Sequence, residues 1–135
     1  MNTNILITGA NGQDGQIIVN RLNKRKVNLF LLTRKKVKVK IPKLNYLTCD
    51  LHNEKKLNKL IKNIKIDTLI HLASNNPAYN QDNYRTHYQA NFSNTKNLIK
   101  ILCKYNNNIK IIISSSSRIF KKKKGIVKEN SVKYS

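Results

Sequence analysis

Apolar residues along this chain alternate between two patterns: short unbroken runs, and longer stretches where they recur every three or four positions. Asn4–Thr8 (N-I-L-I-T) is a compact apolar run that ends in a glycine loop. From Asp14 to about Lys24, Ile17, Ile18 and Leu22 recur at helical spacing. Asn28–Thr33 (N-L-F-L-L-T) reads as a second buried strand, and Leu44–Cys49 as a third, weaker one. Glu54–Ile64 places Leu57, Leu60, Ile61 and Ile64 on one helical face, with Asn53 positioned to cap it. Asp67–Ala73 is a fourth strand, Tyr84 to about Tyr105 a long helix, and Ile109–Ser114 (I-K-I-I-I-S) a fifth strand.

Strands that are apolar nearly throughout, separated by helices, belong to a parallel sheet covered on both faces. Right-handed crossovers at each step give an α/β, doubly wound parallel sheet of five strands in the order 3-2-1-4-5. No repeat and no linker divides the chain, so residues 1–135 are expected to form one domain, as suits roughly 100–200 residues. Lys121 to Ser135 is basic and poorly patterned, and reads as a long loop leaving the fifth strand.

Charge adds less than its size suggests. The 27 Lys and Arg against six acids give +21 and an isoelectric point near 10.3, which points toward an anionic partner. Yet Lys, Asn and Ile make up 60 of the 135 residues, the imprint of AT-rich codons, and the lysines are spread over the whole length. Weak, salt-sensitive binding to polyanions follows from that; specific nucleic-acid recognition does not. Apolar runs of four or five residues fall far short of the ~20 needed to cross a bilayer, and no leader pattern follows Met1. Cys49 and Cys103 share no motif spacing with each other or with His52, His71 and His87. Neither a metal site nor a disulfide is therefore expected, and a reduced cytoplasm is the expected setting.

The candidate chemistry sits after the first strand. In Thr8-Gly9-Ala10-Asn11-Gly12-Gln13-Asp14-Gly15, three of the chain's four glycines follow the spacing G-x-x-G-x-x-G. Glycines between a strand and a helix allow a tight turn, close approach of backbone amides to a pyrophosphate, and close packing of helix on strand. The helix N-terminus adds unpaired N–H groups and partial positive charge. A tight turn with no ligand is the plain alternative; the register of the three glycines favours dinucleotide binding.

This loop resembles that of the extended short-chain dehydrogenase/reductases, the NAD-dependent epimerase/dehydratase family, whose domain is Rossmann-like. Within the family, the ending Gly12-Gln13-Asp14-Gly15 is most similar to the GDP-mannose 4,6-dehydratases. Other features follow in the family's order: Asp50-Leu51 after the third strand, His71-Leu72-Ala73 closing the fourth, then Asn91 and Asn97-Leu98 in the next helix. The resemblance implies that Gly9, Asn11, Gly12, Gln13, Asp14 and Gly15 cradle the pyrophosphate. It further implies that Asp50 accepts from the adenine amino group while Leu51 packs on the ring. Leu72, Ala73, Ser74 and Asn91 would then line the rest of the cofactor. Asp50 alternatively is a loop residue leading into its helix, and His71 reads as a packed strand-end residue rather than an acid or base.

Proteins of this kind that prefer NAD place an acid at the end of the second strand. Here that end reads Thr33-Arg34-Lys35-Lys36, and a guanidinium at Arg34 with a point charge at Lys35 suits a 2′-phosphate, so NADP is expected over NAD.

Ser114-Ser115-Ser116-Ser117-Arg118-Ile119-Phe120 is similar to the family's strand-five signature, which places the sugar-binding catalytic hydroxyl at Ser116; a simple polar turn is the alternative. The family's mechanism also uses a Tyr-x-x-x-Lys pair, the lysine lowering the pKa of a tyrosine that takes the sugar hydroxyl's proton. That pair falls past Ser135, and Tyr134 comes too early for it. The resemblance therefore implies an N-terminal fragment, without the catalytic pair or the part that selects the sugar. Its parent would be an NADP-dependent, homodimeric oxidoreductase acting on a nucleoside-diphosphate sugar such as GDP-mannose. Arg118 stands where the dehydratases carry a glutamate base, and a guanidinium does not act as that base. The loop and Arg34 speak for a dehydratase, Arg118 for an epimerase or 4-reductase. A non-catalytic dinucleotide-binding regulatory domain and a basic nucleic-acid-binding module are the readings from other classes.

Overall fold

A computed structural model describes residues 2–37, 40–74, 84–115 and 128–131. Five strands, β1 (Thr3–Thr8), β2 (Val27–Thr33), β3 (Leu44–Thr48), β4 (Thr68–His71) and β5 (Lys110–Ile113), form one sheet in the order β3-β2-β1-β4-β5, all pairs parallel. This is the expected doubly wound sheet. The chain steps outward from β1 through β2 to β3, then returns across the sheet to β4 on the other side of β1.

Alternation along the strands explains why they are apolar throughout. Ile5 and Ile7 of β1, Leu29 and Leu31 of β2 and Ile70 of β4 pack with Val19 of helix α1 (Gln13–Leu22) on one face. Leu6, Leu32 and Leu69 point the other way. There they pack against Leu57 and Ile61 of α2 (Glu54–Ile61) and Leu98 and Leu102 of α4 (Asn94–Tyr105). Side chains such as Leu6, Leu57 and Leu98 are wholly enclosed, each contributing about 1.5–3 kcal/mol by leaving water.

The helix termini differ in how they are finished. At α2, the Asn53 side chain accepts the Lys56 amide at 3.0 Å, the cap expected from the sequence. The helix then stops at Ile61, short of Ile64, whose amide instead donates to the Ile61 carbonyl at 2.8 Å in a turn. The stretch read as one long helix from Tyr84 to Tyr105 is helical but not uniform. It runs as α3 (Tyr84–Tyr88), a π-helical turn over Gln89–Ser93, and α4. A hydrogen bond from Tyr105 to Asn58 at 2.8 Å and one from Asn97 to Glu54 tie α4 to α2. Among the described residues, no helix is long and apolar enough to cross a membrane.

Candidate functional site

The parallel register aligns the carboxyl ends of the strands. Thr8 lies opposite Leu32 on one side and His71 on the other, Thr33 opposite Thr48, and His71 opposite Ile113. Because the chain leaves β1 and β4 in opposite directions, the ends of these two strands are the switch point of the sheet, where the topology calls for a crevice. In open α/β sheets, that is where ligands bind.

The glycine loop forms one wall of the crevice, and its three glycines do different work. Gly9 has φ +72°, and a Cβ there would lie 2.7 Å from the Ala73 nitrogen, so it both turns the chain and touches the exit of β4. A Cβ on Gly15 would lie 2.3 Å from the Gly9 carbonyl oxygen, so the fold itself demands glycine there. Gly12 is different. Its backbone is extended (φ −73°, ψ 169°), which any residue can adopt, and a Cβ would meet only the Gly9 oxygen, at 3.3 Å. The remaining space over Gly12 is open, a gap of the sort that lets a phosphate approach the main chain.

The donors for such an anion are in place. Gly12 is the N-cap of α1 and brings no side chain to the first-turn amides, in contrast to the self-capped α2. Its own N–H donates to the Gly9 carbonyl at 3.0 Å and its carbonyl accepts from Gln16 at 3.0 Å, which fixes the entry to the helix. The Gln16 side chain donates to the Asn11 carbonyl at 3.1 Å, bracing the exposed part of the loop. Asn11, Gln13 and Asp14 are exposed, and Gly15 is buried. This cradle of bare backbone at an open helix N-terminus fits a dinucleotide pyrophosphate.

The opposite wall is the exit of β4. Leu72 and Ala73 are half-buried and Ser74 is exposed. The Leu72 amide donates to the Thr8 carbonyl at 3.1 Å, and the Ala73 amide to the Thr8 hydroxyl at 3.3 Å. His71 is buried between Thr8 (Nδ1 to Oγ1, 2.7 Å) and Thr95 of α4 (Nε2 to Oγ1, 2.8 Å). Burial disfavours the charged imidazole and pushes its pKa down, so the ring is neutral near pH 7.

Farther along the strand ends, the Thr33 hydroxyl donates to the Lys35 carbonyl at 3.0 Å and folds the turn that presents Arg34 and Lys35 to solvent. Beyond β3, one Asp50 carboxylate oxygen accepts the His52 amide at 3.0 Å, and Leu51 is half-buried against the core. Cys49 is buried beside them and its thiol donates to the Asp50 carbonyl at 3.1 Å; loss of solvent pushes its pKa up.

A model of the NAD-dependent epimerase/dehydratase family matches residues 5–135. The chain belongs to this family. Solved structures agree in fold. The UDP-Glc/GlcNAc 4-epimerase of Campylobacter jejuni superposes with a TM-score of 0.85 at 23% identity, over 98% of this chain and 43% of that one. The L-threonine dehydrogenase of Clostridium difficile gives 0.80 at 22%, over 98% and 43%. MoeE5, solved with UDP-glucose and NAD, gives 0.77 at 23%, over 97% and 42%. The chain thus spans less than half the length of each. No curated protein shows significant sequence similarity to it.

Within this family member, the residues singled out from the sequence fall into separate groups. Gly9 of the glycine loop lies directly beside the backbone of Leu72 and Ala73. Arg34 with Lys35, and Asp50 with Leu51, stand at the ends of the next two strands of the same sheet edge. Asn91 is exposed on the π-helical turn. Ser116 and Arg118 lie outside the described residues. Ser114, just before them, is bonded through its amide (3.0 Å) and hydroxyl (3.3 Å) to the His71 carbonyl. Sequence reading missed Thr8 and Thr95 as partners of His71, because contacts 63 and 24 residues apart leave no spacing signal. One available clue was that a polar residue closes each of two otherwise apolar strands. A groove of about 450 Å³ between α2 and α4, lined by Glu54, Asn97 and Ile101 among others, is separate from this crevice.

Proposed function

We propose that this chain is the dinucleotide-binding portion of an NADP-dependent oxidoreductase of the epimerase/dehydratase kind that acts on a nucleoside-diphosphate sugar. The observation that carries the reading is the open N-terminus of α1 at Gly12, where an added Cβ would meet only the Gly9 oxygen and the rest of the space is open. Family membership supports a nicotinamide cofactor, and neighbours described with UDP sugars support the substrate class. The nucleotide-bearing group on the substrate is taken as GDP-mannose-like on the strength of the Gly12–Gly15 sequence alone.

When bound, the nicotinamide supplies a temporary hydride acceptor for sugar C4. The chain's own residues do the holding. First-turn amides of α1 bind the pyrophosphate, Arg34 and Lys35 the 2′-phosphate, Asp50 the adenine amino group, and Ala73, Ser74 and Asn91 the remaining ribose and nicotinamide edge. Ser116 offers its hydroxyl to the sugar oxygen that is oxidised. With Arg118 in place of a carboxylate base, the chemistry stops at oxidation and re-reduction unless another residue removes the C5 proton.

The test is a fluorescence titration of the chain with NADPH and NADH. Saturable binding with NADPH tighter supports the reading; tighter NADH overturns the NADP assignment, and binding of neither overturns the dinucleotide site. Retained DNA binding at physiological salt, with no dinucleotide binding, would turn the reading toward a nucleic-acid module.

A further inference from the structure

Three side chains distant in sequence converge where β1 and β4 end. Thr8 and His71 are 1% and 3% exposed, so the protons between them must find their partners within the protein. A neutral imidazole has one N–H and one lone-pair nitrogen. The Thr8 oxygen already receives the Ala73 amide and has one proton of its own to give. Among the described residues, the acceptor for that proton is Nδ1 of His71, 2.7 Å away. Were Nδ1 itself protonated, the Thr8 proton would be buried without a partner, which is strongly disfavoured. No such conflict arises at the other nitrogen. A threonine in a helix can turn its own proton to a carbonyl one turn back, leaving Thr95 Oγ1 to accept from Nε2–H at 2.8 Å.

We propose that His71 is a positioning residue for the dinucleotide: held as the Nε2–H tautomer between Thr8 and Thr95, it fixes the Ala73 amide and so sets the Leu72–Ser74 wall against the Gly9 turn. The relay runs Ala73 N–H to Thr8, Thr8 O–H to His71, His71 N–H to Thr95. It joins both walls of the crevice to the second residue of α4. A Cβ on Gly9 would lie only 2.7 Å from the Ala73 nitrogen, so the glycine turn has no room for that amide to shift toward it. The positioning role rests on the proposed dinucleotide site; the tautomer stands on the hydrogen bonds alone.

The experiment uses the whole chain with Thr8→Val, which keeps the shape and deletes the hydroxyl, and Thr8→Ser, which keeps the hydroxyl. Two readouts are taken: the NADPH dissociation constant, and the ¹⁵N imidazole spectrum of His71, assigned with His52→Asn and His87→Asn. The wild-type spectrum is expected to show an unprotonated Nδ1 and a protonated Nε2. Thr8→Ser should keep that pattern and bind within about threefold of wild type, while Thr8→Val weakens binding about tenfold or more and disturbs the pattern. A protonated Nδ1 in the wild type overturns the tautomer, and wild-type affinity in Thr8→Val overturns the positioning role. If Thr8→Val does not fold, Thr95→Val at the half-buried far end carries the comparison, and unchanged binding there counts equally against it. A wild-type chain that binds neither NADPH nor NADH overturns the cradle and the positioning role together, while the imidazole spectrum still decides the tautomer.

Discussion

Gly15 lies so close to Gly9 that a Cβ built on it would sit 2.3 Å from the Gly9 carbonyl oxygen, whereas the same atom on Gly12 would sit 3.3 Å from that oxygen, a tight contact that a shift of a few tenths of an ångström relieves. The two positions therefore separate folding from binding. Gly15→Ala forces helix α1 away from the turn and is expected to cost about 1–3 kcal/mol, read as a lower urea midpoint. Gly9→Ala adds the strain of a left-handed residue, about 1–2 kcal/mol, to its own collision with Ala73. Gly12→Ala should leave the midpoint within about 1 kcal/mol of wild type yet weaken NADPH binding about tenfold or more. Equal damage to stability from all three would refute this division.

Arg34 is exposed on a turn pinned by the Thr33 hydroxyl, so replacing it should not disturb the sheet. A guanidinium pairing with a 2′-phosphate contributes more than a point charge does. Arg34→Ser is expected to weaken NADPH about ten- to hundredfold while NADH changes little, and added salt should narrow the gap. Parallel titrations of the two cofactors check this. Equal losses for both would place Arg34 away from the 2′ position.

How much of this was legible in the sequence depended on whether the cause was local. Ile5-Leu6-Ile7 and Leu29-Phe30-Leu31-Leu32 announced strands buried on both faces, and the strand order followed from the helices between them. The glycine loop was equally plain, since positive φ at Gly9 and close packing at Gly15 are written into residue type. Element ends were less so. The apolar run predicts β4 over Asp67–Ala73, but its ladder covers Thr68–His71, where it must match the end of β1. The π-helical turn at Gln89–Ser93 left no mark, because one extra residue in a turn barely alters the apolar period. The Thr8–His71–Thr95 relay was invisible for the same reason that long-range polar contacts generally are: each residue type is ordinary in its own segment.

The buried imidazole of His71 also sets a pH dependence. Its pKa is held below the ordinary 6.5 by loss of solvent, whereas in the unfolded chain it titrates at that ordinary value. Below pH 6.5 the unfolded state thus binds the proton first, so stability is full above that pH and falls as the pH drops toward the native value. Urea midpoints should decline as the pH falls below 6.5, and NMR titration of the ring should give a midpoint below 6.5. A native midpoint at or above 6.5 would contradict the sign.

The strand β5 stands at an edge of the sheet. It pairs only with β4 among the described residues, and Ile111, Ile112 and Ile113 are 37%, 55% and 47% exposed, so neither of its faces is covered there. Successive side chains of a strand point to opposite faces, so both faces of this edge carry isoleucine beside unpaired backbone groups. Such an edge is a template for pairing with another chain. Ile112, the most exposed of the three, is the position to charge, since an edge lysine opposes pairing without removing core packing. Ile112→Lys should lower the concentration-dependent light scattering of the isolated chain while its urea midpoint stays within about 0.5 kcal/mol of wild type. Scattering that is unchanged by the lysine would place the association elsewhere than on β5.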